Sequence, residues 1–239
     1  MKKIIITGAT SGIGRELALQ YAKQGFKVGL IGRREERLEE LKSIIGENAY
    51  IKAQDVTEHE AAEESYRELI EEMGGMDVMI LNAGMGRIQM LPPWGAESKL
   101  IELNALAFAH GCHFAFDYFK EQGHGQIVGM SSMAALVAFH KAAAYTASKH
   151  FISTYMTGYR QKAKRVEADI AVTEIRAGYI WTEMTERAKG MFWVASVEKA
   201  AEQMIEGIQR RKNIFYVTKR WRLLAWVAKC VPEWIWNRI

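Results

Sequence analysis

Cysteine is almost missing from this chain: Cys112 and Cys230 are the only two in 239 residues. That is too few for the disulfide framework of a small secreted scaffold. Proline is nearly as scarce, with three, and no Ser/Gly-rich stretch offers a linker, so one domain is expected. No internal repeat or low-complexity run suggests otherwise. Nor does any apolar run approach the ~18 residues of a membrane-spanning helix. The opening Met1-Lys2-Lys3-Ile4-Ile5-Ile6 imitates a secretory leader but is interrupted at Gly8. A reducing cytoplasm is the expected compartment. The net charge is only +4, and it is local. Arg210, Arg211, Lys212, Lys219, Arg220, Arg222, Lys229 and Arg238 face a single acid, Glu233, between residues 210 and 239. No reading motif accompanies this basicity, so nucleic acid is not an expected partner. His110, Cys112 and His113 share a helical stretch without completing a ligand set, and no metal is expected.

What the chain does have is a 49% hydrophobic composition arranged in short apolar runs alternating with longer amphipathic ones. The runs at 3–7, 27–32, 49–53, 77–81, 126–130, 170–176 and 214–217 are nearly continuous in Ile, Val, Leu and Met rather than alternating. Strands buried on both faces have that composition. Helical patterns fall near 12–24, 34–45, 58–73, 97–122, 145–166 and 197–211, the last with Ser196 as its N-cap. Together they predict a single-domain, Rossmann-type α/β fold: a doubly wound parallel sheet of about seven strands with helices on both faces. Residues 1–218 form that domain, followed by a basic, Trp-rich helical tail at 219–239.

The first strand runs into Thr7-Gly8-Ala9-Thr10-Ser11-Gly12-Ile13-Gly14 and then a helix. Glycines there let backbone N–H groups approach a phosphate, with the helix dipole behind them. Such a segment can also be a plain turn; its place between a strand and a helix favours the nucleotide reading. The second strand ends Gly32-Arg33-Arg34. An acidic residue at this strand end would hold the ribose of NAD; guanidinium groups instead offer themselves to a 2′-phosphate. Arg15 could reach the same anion. NADP(H) is therefore expected over NAD, against the alternative of a solvated basic turn. Asp55-Val56 and Asn82-Ala83-Gly84 close the third and fourth strands, where open α/β sheets bind ligands, although Asp and Asn are also common turn residues.

Tyr145 and Lys149 stand four residues apart in Tyr145-Thr146-Ala147-Ser148-Lys149, on one helical face. An ammonium beside the phenol favours phenolate and lowers its pKa, making Tyr145 a candidate acid/base. Ser131-Ser132 ends the fifth strand, where a hydroxyl could polarise a carbonyl. Asn104 lies in an otherwise apolar helix and needs a partner.

In these ordered motifs the chain resembles the short-chain dehydrogenase/reductase family, in its compact core-only branch, over roughly residues 3–218. Thr7–Gly14 has the family's T-G-x-x-x-G-x-G spacing, and Asp55, Asn82-Ala83-Gly84, Asn104, Ser132 and Tyr145/Lys149 follow in its order. The resemblance implies hydride transfer between NADP(H) and a ketone, aldehyde or alcohol. Tyr145 would be the acid/base, Ser132 would hold the oxygen and Lys149 the nicotinamide ribose. Asn104 would hold a relay water, Asn82 would shape the cleft, and Gly84 would lie against the cofactor. Gly178, Ile180 and Thr182 would meet the nicotinamide end. The family's Pro-Gly after the sixth strand reads Ala177-Gly178 here, and a less preorganised loop is expected. The resemblance also implies a homodimer or homotetramer through the helices carrying Asn104 and Tyr145. The alternatives are a non-catalytic dinucleotide-binding sensor or scaffold, and a lyase or epimerase.

Residues 183–195 should cover the substrate; their Met184, Met191, Phe192 and Trp193 suit a bulky apolar molecule as well as they suit packing. The facing wall is expected from 134–144. Trp221, Trp226, Trp234 and Trp236 are interleaved with basic residues in the tail. That pattern fits contact with a membrane surface, packing on the body or a partner subunit, or a cap on the cleft.

Overall fold

The structure is a computed structural model, and it describes residues 2–86, 88–186 and 190–232. Seven parallel strands form one sheet: β1 (Lys3–Thr7), β2 (Lys27–Gly32), β3 (Ala49–Ala53), β4 (Val78–Leu81), β5 (His124–Ser132), β6 (Asp169–Ala177) and β7 (Ile214–Val217), in the order β3-β2-β1-β4-β5-β6-β7. The helices are α1 (Gly12–Lys23), α2 (Glu35–Ile45), α3 (His59–Met73), α4 (Trp94–Ile101), α5 (Phe108–Gln122), α6 (Ala143–Ala163), α7 (Val197–Gln209) and α8 (Trp221–Cys230).

The continuous apolar strands still alternate, but between two apolar layers. Ile4 and Ile6 of β1 pack with Leu17 and Tyr21 of α1 and with Met204 and Ile208 of α7. Ile5 points the other way, onto Leu69 and Met73 of α3 and the layer containing Phe119 and Met156. Both faces are covered, as parallel sheets require. From β1 the chain winds outward to β3, then returns to β4 on the other side. The crevice lies at this reversal, above the carboxyl ends of β1 and β4.

Two expected boundaries shift. The expected strands at 126–130 and 170–176 lengthen to His124–Ser132 and Asp169–Ala177, which pair with each other along their whole length. That ladder carries His124, Gly125 and Asp169 into strand against their weak propensity. The expected helix at 97–122 starts at Trp94 and changes pitch midway: Glu102–Ala107 is π-helical, a widening common at functional sites. Ser196 caps α7 as expected, its hydroxyl accepting from the Lys199 N–H.

A less preorganised loop is expected where Ala177 stands in place of a proline. Ala177 is the last residue of β6, paired with Ser132 on one side and Val217 on the other. Two ladders hold it in place of a proline ring, and the Gly178 N–H continues the pattern onto the Val217 carbonyl at 2.6 Å.

Candidate active site

The loop between β1 and α1 is shaped by what glycine permits. Gly8 and Gly12 have φ of +69° and +53°, which residues with a side chain rarely adopt. A Cβ on Gly8 would lie 2.8 Å from Ala83 Cα, and one on Gly14 would collide with the Gly8 carbonyl and sit 2.5 Å from Asn82 Nδ2. Asn82 ties the two strand ends together: its Nδ2 donates to the carbonyls of Thr7 and Gly8, both at 3.1 Å. Thr7 Oγ1 accepts from the N–H groups of Asn82 and Ala83 at 3.1 Å. Asn82 therefore braces the glycine loop from behind. Gly14 lets α1 close against it.

At the end of β2 the two arginines part company. Arg33 is mostly exposed and leans on Asp55 at 3.3 Å. Burial opposes ionisation of Asp55, but hydrogen bonds from Thr57 and the Arg33 charge prevail and hold its pKa below the usual carboxylate range. Arg34 turns inward, donating through Nε and Nη2 to Thr10 Oγ1 at 3.1 and 2.7 Å and through Nη2 to Ser11 Oγ at 2.8 Å. Its Nη1 lies 3.5 Å from Glu183, which also takes two contacts from Arg37 Nη1 at 2.7 and 3.0 Å. Arg15, expected near the same anion, is turned to Glu40.

The polar centre lies across the crevice. Tyr145 is in the first turn of α6 and half-buried, while Lys149 and Ser148 are buried one turn on. Ser132 closes β5, its hydroxyl accepting from the Ala134 N–H at 3.1 Å. The expected lowering of the Tyr145 pKa by Lys149 is corrected. Burial raises the phenol above its ordinary value, the Ser132 hydroxyl opposes this, and Tyr179 adds to it. Lys149 is itself pushed down to about 8 by burial. Its Nζ donates to the Met130 carbonyl at 3.0 Å and stands 5.6 Å from the phenol ring centroid. Desolvation here exceeds the pairwise charge effect. Asn104, in the π-helical turn, accepts from the Met85 N–H at 2.9 Å and donates to the Met85 carbonyl and Ser148 Oγ at 2.8 and 3.1 Å. Ser148 in turn donates to the Tyr145 carbonyl at 2.7 Å. Both amide hydrogens of Asn104 are spent on protein, so its side chain clamps the Met85 loop to α6.

These groups share one cleft of about 360 Å³. Gly8, Thr10, Ser11, Gly12 and Ile13 line one end with Arg33, Arg34, Asp55 and Val56. Asn82, Ala83 and Gly84 form its floor, and Ser132, Tyr145, Lys149, Gly178, Ile180 and Thr182 its other end. Of the residues proposed from sequence, Gly14 and Asn104 stand behind the wall rather than in it.

The sequence profile described as "short chain dehydrogenase" matches residues 2–191. This chain belongs to the short-chain dehydrogenase/reductase family. It is 32% identical to an uncharacterised oxidoreductase of Mycobacterium tuberculosis, over 98% of this chain and 90% of that one. A hydroxysteroid 11-beta-dehydrogenase 1-like protein of Xenopus tropicalis is 27% identical over 90% of this chain and 78% of its own length. The fold is similar to that of a Sphingobium yanoikuyae short-chain dehydrogenase in complex with NADPH: TM-score 0.81, 24% identity, 94% and 92% of the two chains. It is also similar to a Burkholderia phymatum short-chain dehydrogenase/reductase in complex with NAD: TM-score 0.86, 18% identity, 94% and 91% coverage. The chain is accordingly an NAD(P)(H)-dependent oxidoreductase with a dinucleotide-binding fold.

Several functional candidates of this short-chain dehydrogenase/reductase escaped the sequence reading. Met85 also lines the cleft, and Arg37 and Ser148 support it; Glu183 and Thr185, from the segment expected to cover the substrate, line the cleft as well. None carries a motif; only folding brings Arg37 to Glu183. At the substrate side, a Cβ on Gly86 would meet Met184 Sδ at 3.4 Å and Tyr145 Cε2 at 3.6 Å, so this loop and the 183–186 turn approach each other over the tyrosine. Trp221 packs flat on Gly178, where a Cβ would collide with its indole. It clusters with Tyr179, Phe192 and Trp193 at centroid distances of 5.5, 5.1 and 5.8 Å. The start of the tail is thus part of the body. Trp234, Trp236 and Arg238 lie outside the described residues. Among the described residues no cluster of His, Cys, Asp and Glu is placed to hold a metal, and no helix is long and apolar enough to cross a membrane.

Proposed function

We propose that this chain is an NADP(H)-dependent carbonyl reductase that interconverts a bulky apolar ketone or aldehyde with its alcohol. One observation carries the reading: Ser132, Tyr145 and Lys149 share a single cleft with the glycine loop and the β2 arginines. The cleft fits a dinucleotide. Methyl groups at Gly8 or Gly84 would press on Ala83 or come within 3.2 Å of Asn104 Oδ1, so glycine lets the segments beneath the cleft pack closely. Arg33, Arg34 and the Thr10 and Ser11 hydroxyls gather donors suited to a 2′-phosphate at the far end.

Bound NADPH supplies the hydride. Tyr145 donates its proton to the carbonyl oxygen, and Ser132 holds that oxygen by a hydrogen bond. Because burial keeps the phenol protonated, the acid form that reduction needs is the resting form. Lys149 faces Gly84, within 3.8 Å of where its Cβ would be, and is placed to bind the cofactor's ribose while adding positive charge beneath the phenol. Gly178, Ile180 and Thr182 fix the nicotinamide end. The clamp at Asn104 holds the Met85 loop over this end.

Substrate class is read from the mouth. Met184 lines it, Phe139, Phe192 and Trp193 expose further apolar surface on the flanking segments, and three relatives carry a hydroxysteroid in their names. Titrating NADPH and NADH by fluorescence, then following oxidation of the preferred one by apolar ketones, tests the reading. Tight nucleotide binding with no turnover of any ketone would favour the sensor instead.

The tail extends the reading to a lipid surface. On α8, Trp221 and Ala225 are buried, while Leu223, Trp226 and Val227 form an exposed apolar stripe. Lys219, Arg220 and Arg222 flank it, and residues 210–232 contain no acid. This combination fits the interface of an anionic bilayer. Trp226→Ser should abolish co-sedimentation with phosphatidylserine-containing vesicles and leave ketone reduction in solution unchanged. Equal sedimentation of both proteins ends the idea. Pairing of subunits through α5 and α6 is the accompanying assembly, checked by light scattering.

A further inference from the structure

We infer that Glu183 is a built-in counter-anion: its carboxylate sits across the arginines that would receive the nucleotide's 2′-phosphate, and it is displaced when NADP(H) binds. The inference rests on the NADP(H) reading and names the residue that tunes its selectivity.

The geometry is that of an anion site already filled by the protein. Glu183 takes Arg37 Nη1 on both oxygens, at 2.7 and 3.0 Å, and lies 3.5 Å from Arg34 Nη1. Arg34 is fixed from its other side by the hydroxyls of Thr10 and Ser11, the same glycine loop that lines the cleft. The two partners come from opposite walls: Arg37 from the first turns of α2, Glu183 from the turn after β6. Two guanidinium groups face one carboxylate, so the cluster keeps a surplus positive charge. A phosphate monoester carrying roughly −1.5 to −2 matches that surplus better than a carboxylate does. The two anions cannot share the cluster without strong repulsion.

A nucleotide without the 2′-phosphate makes no such demand and leaves Glu183 in place. The carboxylate therefore opposes only the phosphorylated cofactor. In the empty protein it keeps the guanidinium groups spread and aligned. Its displacement also reaches the substrate side. Glu183 belongs to the turn in which the N–H groups of Thr185 and Glu186 bond the Thr182 carbonyl, and Thr182 itself lies against Gly12.

Calorimetric titration of the full chain and of E183Q with NADPH, NADH, adenosine 2′,5′-bisphosphate and ADP tests this. Glutamine keeps the size of this exposed side chain and one of its two acceptor oxygens while removing its charge. E183Q should bind NADPH and the 2′,5′-bisphosphate about 3- to 10-fold more tightly, the range of a partly exposed charge contact. NADH and ADP should change by less than about twofold, and the gain should shrink as salt screens it. Unchanged or weaker NADPH binding in E183Q overturns the inference, as does an equal gain for NADH. A wild-type chain that binds NADPH no better than NADH would defeat the NADP(H) reading separately, because the effect of E183Q is scored as a ratio within each nucleotide.

Discussion

The two ends of the cleft are built differently. At the nucleotide end, fixed polar geometry does most of the work. Asn82 and Thr7 lock two strand ends, glycines let those ends pack closely, and Arg34 is held by two hydroxyls. At the other end Met184 lines the cleft, and Phe192 and Trp193, packed with Trp221, lie partly in solvent. The contrast follows from what each end must recognise. A cofactor of constant shape is met by fixed polar geometry, and the apolar substrate we propose would be met by surface that can repack. Trp221 is the structural join, because it packs both on Gly178 and on the lid aromatics.

The comparison can be broken hardest at the tyrosine that stands between the ends. Tyr145→Phe should keep NADPH binding by fluorescence and cost about 10²- to 10⁴-fold in kcat, the usual worth of a positioned acid. Appreciable turnover would show that proton delivery does not run through this phenol. Next comes the rigid end. In Gly14→Ala the new methyl meets the Gly8 carbonyl and Asn82. A loss of about 1–3 kcal/mol in thermal unfolding, with weakened nucleotide binding, is expected from overpacking at an unyielding site. Arg33→Ala should weaken NADPH about tenfold and NADH hardly at all; equal losses would remove the 2′-phosphate reading.

A pH profile sharpens the same boundary. The Lys149 ammonium, pushed down to about 8, is complete well below that pH and lost above it. Because the proposed mechanism has the charged form bind ribose and support the tyrosine, kcat/KM for reduction should hold at pH 6–7 and fall about tenfold per unit above 8. A flat profile to pH 10 would show that bound nucleotide restores the ammonium. The smallest effect belongs to the adaptable end: Phe192→Ala should raise KM for apolar ketones by roughly 10-fold or less, one side chain's share of a pocket, and leave NADPH affinity alone.

Much of the fold was legible because it rests on local patterns. Continuous apolar strands between amphipathic helices specify a sheet covered on both sides, and Gly8, Gly12 and Gly14 mark a loop that only glycine can make. Tyr145 and Lys149 were legible for a similar reason, since one helical turn sets their spacing. Their electrostatics were not. Burial of the phenol comes from the segments that the fold packs around the start of α6, and it reverses the sign of the expected shift. Glu174 and Arg176 teach the same lesson: they look like solvent-facing charges in β6, yet Glu174 is fully buried and receives Arg176 Nε at 2.7 Å.

By itself the sequence determined the layering, the glycine loop and the spacing of the candidate acid/base pair. Those depend on periodicity, on glycine's freedom and on residues a few positions apart. Only the tertiary structure decided which charges meet and how strongly each is felt: Arg37 with Glu183, Asn104 with Met85 and Ser148, Trp221 with Gly178. Such contacts join segments far apart in the chain, and the strength of a charge depends on the solvent that the whole fold excludes.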